Sequence, residues 1–243
     1  MADAPHLGIL AGLRAEADVL IEHLPKDLKV TIYLSGAVPA QARKYAARLI
    51  DDGATHLLSF GYAGGLDPAF WPGTLLVPRS IVAPDGTVYQ VDGEWLEQAM
   101  NVLQPLYPAA GAHLGVDTAV AEIEQKATLF LRTRGAFAAD MESHALAAAA
   151  RERDVPFLAI RVVLDSATHI VPGAATASVR PDGSISMLRL AGALALRPHQ
   201  IGALNRLSRA QQAAEKTLLS CCSRGGPVGF GVRKLAHRSL DVV

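Results

Sequence analysis

The sequence predicts an α/β protein with a central, largely parallel twisted sheet covered by helices on both faces. Three observations lead there. Short apolar runs such as Leu7-Gly8-Ile9-Leu10-Ala11 alternate with stretches of helical spacing such as Ala17, Leu20, Ile21 and Leu24. The rhythm repeats, with turns such as Ser35-Gly36-Ala37 between strand and helix, as it does when parallel strands are joined by helical crossovers. A length of 243 residues suits one large domain of this class.

Taken in order, Leu7–Ala11 reads as a strand, Glu16–Leu24 as a helix, and Val30–Leu34 as a second strand. Pro39–Ile50 is a helix with its proline in the first turn, where the missing N–H is tolerated. His56–Phe60 is a third strand. It is followed by Gly61-Tyr62-Ala63-Gly64-Gly65-Leu66, read as a loop whose glycines permit close backbone approach to a ligand. Thr74–Pro78 follows the Trp71-Pro72-Gly73 turn. Asp85-Gly86 then marks a hairpin between Ile81-Val82 and Val88–Val91. Glu94–Leu106 is helical, His113–Val116 a short strand, and Glu122–Thr133 helical. Asp140-Met141-Glu142-Ser143 opens an alanine-rich helix, and Phe157–Asp165 is a strand. A loop runs from Asp165 through Pro181-Asp182-Gly183. Amphipathic helices are expected over 184–220, closing a single domain of residues 1–222, and residues 223–243 read as a disordered tail.

Composition excludes several functions. Lysine plus arginine number 23 against 23 aspartate plus glutamate, so no electrostatic footprint favours nucleic acid. Cys221 and Cys222, the only cysteines, are adjacent and so make neither a disulfide framework nor a zinc site. No charge-free apolar run reaches the ~20 residues a spanning helix needs. Met1–His6 has no signal-peptide pattern, so a cytoplasmic location is expected. His144 and His169 have no partner at metal-ligand spacing, and no metal is assigned.

Chemistry is sought where acids meet the edges of the sheet. In open α/β sheets, ligands bind in the crevice beyond the carboxyl ends of the strands. Glu142 at a helix start and Asp165 at a strand end are therefore candidates. The same residues admit plainer readings: Asp140 and Ser143 as helix caps, Asp165 as an N-cap before Ser166-Ala167-Thr168, and Glu16 as a first-turn acid favoured by the helix dipole.

With these motifs on view, the chain resembles the superfamily of purine nucleoside phosphorylases and methylthioadenosine/adenosylhomocysteine nucleosidases. The resemblance covers about Leu7 to Asp165. It is carried by Gly8-Ile9-Leu10 followed by Glu16, Ser35-Gly36, Gly61–Leu66, Asp140-Met141-Glu142-Ser143 and Arg161-Val162-Val163-Leu164-Asp165. Arg180-Pro181-Asp182-Gly183-Ser184-Ile185 and Arg197-Pro198-His199 look like its hopanoid-associated phosphorylase branch, linked to removal of adenine from adenosylhopane. The resemblance implies a three-layer α/β/α fold with a mixed sheet, a homo-oligomer, and cleavage of an N-glycosidic bond without organic cofactor or metal. Inorganic phosphate or water is the implied nucleophile.

Such a reaction must stabilise an oxocarbenium-like sugar, neutralise the departing base and place a nucleophile. By the resemblance, Glu142 accepts from ribose hydroxyls and Met141 packs on the sugar. Asp165 protonates N7 of the purine, which requires a pKa above the ~3.9 reference value. Glu16 activates water. Asp117–Val120 falls where the family loop covers the base, and Gly64 and Gly65 lie in the glycine segment. Arg14, Ser35, Gly36 and Tyr62 would form the nucleophile or phosphate pocket. Tyr62 stands where the family usually has a small hydroxyl residue, which leaves the nucleophile open. The helix after Pro198 sets Ile201, Leu204, Leu207, Ala214 and Leu218 against Arg206, Arg209 and Lys216. It packs on the protein itself or touches the inner face of a membrane.

Three other functions compete. A methylthioadenosine/adenosylhomocysteine nucleosidase shares the reaction. A non-catalytic purine-binding protein would share the fold, although the presence of Glu16, Glu142 and Asp165 together opposes it. A dinucleotide-dependent oxidoreductase lacks its glycine fingerprint, because Gly12-Leu13-Arg14-Ala15-Glu16 follows the first strand.

Overall fold

The computed structural model describes residues 5–186 and 201–232, together with positions 188, 192 and 196. Strands β1 (His6–Ala11), β2 (Lys29–Leu34), β3 (His56–Gly65), β4 (Leu75–Leu76), β5 (Ser80–Val82), β6 (Val88–Gln90), β7 (Ala112–Gly115), β8 (Ala138–Asp140) and β9 (Phe157–Asp165) form one mixed sheet. The pairs β1–β2, β1–β3, β3–β9, β5–β7 and β7–β8 are parallel; β3–β8, β4–β9 and β5–β6 are antiparallel.

The helices are α1 (Arg14–Ile21), α2 (Pro39–Asp51), α3 (Gly93–Leu103), α4 (Ile123–Arg132), α5 (Ser143–Glu152), α6 (Gly173–Ser178) and α7 (Ile201–Gly225). Helices α2 and α5 pack together on one side of the sheet, and α1, α3 and α7 pack together on the other. The three-layer architecture follows. Every residue of β1 is buried, as the continuous apolar run requires of a strand covered on both faces. Helix α2 buries Ala42, Ala46 and Leu49, one stripe at helical spacing. Helix α3 starts at Asp92, whose side chain accepts from the Trp95 backbone N–H at 2.7 Å.

The structure departs from the sequence-based expectations at five places. Gly61–Gly65 is strand, not loop: β3 runs to Gly65 because β9 pairs with it as far as Gly64–Asp165 and β8 pairs with its last two residues. What presses on Gly61 is a side chain of the protein itself, since a Cβ there would meet the Glu16 carboxylate at 2.5 Å. Ala138–Asp140 is a strand that the alanine-rich pattern hid. The Thr74–Pro78 strand shrinks to Leu75–Leu76. The loop after Asp165 contains α6. The amphipathic helix does not begin at Ser184, because Ile185 bridges to Val179 in an extended pair; most of 187–200 lies outside the described residues.

The carboxy-terminal boundary also changes. The stretch beginning at Ser223, expected to be disordered, continues α7 to Gly225 and then a 3-10 helix over Gly226–Gly231. Phe230 and Val232 are buried there, and the Phe230 carbonyl accepts from Trp95 Nε1 at 3.0 Å. Residues 233–243 lie outside the described residues. Ala214, Leu218, Cys221 and Cys222 are buried, so the later turns of α7 pack on their own domain. Among the described residues, no helix is long and apolar enough to cross a membrane.

Replacing Phe230 by Ala should destabilise the fold by about 3–5 kcal/mol, as expected for a large buried aromatic side chain. Urea unfolding of the variant measures this, and an unchanged midpoint would show that the segment adds nothing to the core.

Candidate active site

The site lies beyond the carboxyl ends of β1, β8 and β9. A cavity of about 200 Å³ is lined there by Gly12, Glu16, Tyr62, Gly64, Val120, Met141, Glu142 and Asp165 among others. Glu16 comes from the first turn of α1, Glu142 from the turn between β8 and α5, and Asp165 from the last position of β9. Three acids distant in sequence therefore share one cavity. A Cβ on Gly12 would lie 3.1 Å from Glu142 Oε1 and 3.5 Å from Glu16 Oε2, so two of the carboxylates flank a single glycine.

Glu16 is 2% exposed. It accepts backbone hydrogen bonds from Gly12 (2.9 Å), Leu13 (2.7 Å) and Tyr62 (2.8 Å). Burial raises its pKa, while Arg161 and these three donors pull against the rise. Its two readings merge: the carboxylate bonds to its own helix start and also faces the cavity.

Glu142 accepts from Ser35 Oγ at 2.9 Å, and Arg161 Nη1 lies 3.5 Å from its Oε2. Asp140 sits closer to the same guanidinium, with Oδ2 2.9 Å from Arg161 Nε and 2.7 Å from His113 Nε2. Asp140 Oδ1 also accepts from the backbone N–H groups of Glu142 and Ser143 at 2.8 and 2.7 Å. Proximity divides the two acids. Burial alone would raise Asp140, but Arg161 and His113 hold it well below the usual carboxylate range. Glu142, more weakly paired, is pushed up to about 7 by burial despite Arg161.

Arg161 is fully buried in the middle of β9 and also donates to Ser59 Oγ, to Ser143 Oγ and, at 3.3 Å, to the Tyr62 carbonyl. Asp165 is 9% exposed, and Lys126 Nζ forms an ion pair with its Oδ2. Burial raises the Asp165 pKa, with Lys126 opposing.

The remaining candidates divide. Met141, Val120, Gly64 and Tyr62 line the cavity. Burial and then Glu16 raise the Tyr62 phenol, keeping it protonated. Ser35 is buried, outside the cavity lining, and its hydroxyl donates to Glu142. Gly65 backs onto Asp165 and Ala167: a Cβ there would lie 3.0 Å from the Asp165 carbonyl oxygen. Gly36, at φ +61°, lies under Pro181, whose carbonyl oxygen a Cβ would meet at 2.3 Å. Neither Gly36 nor Gly65 lines the cavity. Arg14 is exposed and does not reach it; its backbone N–H donates to the Gly183 carbonyl at 3.0 Å. Asp117 is exposed and pairs with Arg43 at 2.9 Å, while Val116, Ala119, Val120 and Ala121 give the cavity an apolar wall.

Sequence reasoning missed several residues that build the site. Arg161 opens the Arg161–Asp165 motif, and its signal in the sequence is a charge in the middle of an apolar strand. His113 and Ser59 are single polar residues in strands. Lys126 looks like any helical lysine. Val171, Thr176 and Val179, from α6 and its flanks, complete the cavity. Among the described residues, no group of three or more His, Cys, Asp or Glu side chains is placed to hold a metal ion.

Residues 14–195 match the Phosphorylase superfamily. No curated protein sequence matches the chain. The fold is similar to that of S-adenosylhomocysteine nucleosidase from Streptococcus pyogenes, crystallised with 5-methylthiotubericidin, at a TM-score of 0.68 and 16% identity, covering 92% of this chain and 98% of that one. It is also similar to 5′-methylthioadenosine/S-adenosylhomocysteine nucleosidase from S. pneumoniae with the transition-state inhibitor MT-ImmA, at 0.67 and 18%, covering 90% and 99%. Futalosine hydrolase of Helicobacter pylori gives 0.65 and 18%, covering 90% and 97%. At these identities the likeness is one of fold.

Replacing Arg161 by Met strands two buried carboxylates, and should destabilise the protein by about 3–5 kcal/mol at neutral pH. Asp140 has a depressed folded-state pKa, so its contribution is present above the unfolded value and lost as pH falls through the folded one. The deficit of the variant should therefore narrow in acid. Denaturation at pH 7 and pH 3 compares the two, and a pH-independent deficit would contradict the pairing.

Proposed function

The chain belongs to the phosphorylase superfamily and is an enzyme of the nucleoside phosphorylase or nucleosidase kind, and from that premise we propose that it cleaves the N-glycosidic bond of an adenosyl compound and releases adenine. The observation that carries this reading is the meeting of Glu16, Glu142 and Asp165 on one cavity with an apolar wall.

Each group has a task in the proposed reaction. As the bond between C1′ and the base nitrogen breaks, its electron pair moves to the purine, and Asp165 gives its proton to N7. Glu142 accepts from the ribose hydroxyls, and its negative charge lies beside the cationic sugar. Glu16 takes a proton from the nucleophile as that oxygen attacks C1′. We take water as this nucleophile, because Glu16 lines the cavity and the one arginine proposed to grip phosphate, Arg14, does not. All groups in this scheme are side chains of the protein, with no organic cofactor or metal.

We assign adenosylhopane as the substrate, on the Arg180–Ile185 and Arg197–His199 stretches of the sequence. The reading includes a homo-oligomer in the cytoplasm. Contact with the inner membrane face would run through Arg206 and Arg209 of α7, which are exposed. A second reading, methylthioadenosine/adenosylhomocysteine nucleosidase, is favoured by the names of the structural neighbours.

Incubation with adenosylhopane or methylthioadenosine, with and without phosphate, followed by mass analysis of the sugar product, tests substrate and nucleophile together. A free sugar from adenosylhopane is expected; turnover of methylthioadenosine alone would replace the substrate, and a sugar phosphate would replace water. Asp165→Asn should lower the rate of adenine release about 10²–10⁴-fold, the usual share of one acid–base group. Release unchanged in that variant would remove Asp165 from the chemistry.

The pH dependence has a defined sign. Glu142 acts as a carboxylate and is pushed up to about 7, so kcat/KM should rise with pH through that value. A Glu142→Gln variant should lose this limb of the profile along with most of its activity. A flat profile between pH 5 and 8 in the wild type would contradict the role.

A further inference from the structure

Lys126 is the one fully buried lysine among the described residues, and the mechanism above gives it no part. It rises from the first half of α4, a helix whose other residues are mostly exposed or half-buried. Its ammonium does not line the cavity. It pairs with Asp165 Oδ2 and donates to the carbonyls of Ser166 and His169, each at 2.8 Å. All three of its N–H groups thus have acceptors, and all three acceptors lie on one five-residue stretch that begins with the proton donor. A buried ammonium is expensive unless paired and hydrogen-bonded, so this arrangement fixes where the Asp165 carboxyl stands.

We propose that Lys126 is a positioning residue for Asp165: from outside the cavity it orients the carboxyl, anchors the 166–169 loop and sets how strongly that acid gives up its proton to the departing base. The inference rests on the functional reading given above. In the step itself, Asp165 enters protonated and leaves as a carboxylate when its proton passes to the purine. The Lys126 ammonium stands against the carboxylate that forms and neutralises it. Lys126 therefore makes Asp165 a stronger donor and, by the same attraction, narrows the pH range over which the donor is loaded.

Other titratable or charged groups face Asp165 as well. His169 lies on the following loop, and Arg206 and Arg209 of α7 line the groove on the far side of Asp165, with Trp71 and Ile170. Those arginine side chains are exposed, and solvent screens them. Lys126, buried and in contact, acts most strongly.

The test is a titration of the Asp165 carboxyl by 13C NMR, assigned through Asp165→Asn, in the wild type, Lys126→Met and Lys126→Gln. Gln keeps an N–H donor for the loop carbonyls but carries no charge. It also covers the case in which the Met variant does not fold. The midpoint in the neutral variants should rise by about 1–3 pH units, the size expected for loss of an adjacent opposite charge. The alkaline limb of kcat/KM should rise with it, while kcat below that limb falls. Lys126→Arg, which keeps the charge, should return the midpoint toward the wild-type value.

A Gln variant whose Asp165 titrates as in the wild type, and whose only change is a lower Tm, would reduce Lys126 to a loop anchor and overturn the proposal. Adenine release by the wild type is measured in parallel. Its absence at every pH would remove the functional reading, and the NMR titration would still decide whether Lys126 governs the Asp165 carboxyl.

Discussion

The grouping of Asp140, Glu142 and Glu16 depends on one buried guanidinium. Arg161 sits in strand β9, fully shielded from water, with Asp140 at its Nε, Glu142 and the Tyr62 carbonyl at its Nη1, and Ser59 and Ser143 at its Nη2. Two carboxylates so close together would repel each other strongly in a low-dielectric interior. The guanidinium makes their neighbourhood tolerable and divides their roles by distance. Asp140, with the nearer contact and a histidine behind it, carries the structural charge, and Glu142 is left loosely paired at the cavity wall. Glu16, whose carboxylate also feels Arg161, is drawn into the same field.

The sheet explains why this grouping arises from distant parts of the chain. Strand β3 pairs with β9 along most of its length and then, after an irregularity between Ala63 and Gly64, pairs with β8. One strand thereby brings the end carrying Asp165 and the end carrying Asp140 to a common edge. The glycines at that edge, Gly61 and Gly64, leave room for the carboxylates of Glu16 and Asp165.

Much of this was legible in the residues. The alternation of apolar runs and helical spacings announced the layers, and Glu142 and Asp165 drew notice because charges closed otherwise apolar segments. What escaped was of three kinds. Local composition misled at Ala138–Asp140, where an alanine-rich strand looks like the start of a helix, and at Gly61–Gly65, where glycines signal a turn unless two neighbouring strands supply pairing. Partners such as Arg161, His113 and Lys126 carry no motif of their own; their importance is created by long-range contacts that no window of sequence contains. The burial of Phe230 depends on Trp95, more than a hundred residues earlier, so a glycine-rich stretch that reads as loose chain becomes part of the interior.

One contact joins the beginning of the chain to a segment made much later. The Arg180–Gly183 turn lies over the first two βα connections, with the Gly183 carbonyl accepting from the Arg14 backbone N–H in one and Pro181 against Gly36 in the other. Its closure joins residues far apart in sequence, and the entropy of the intervening loop opposes it. The rim of the pocket is therefore held by a contact that the packing of the rest of the domain has to sustain.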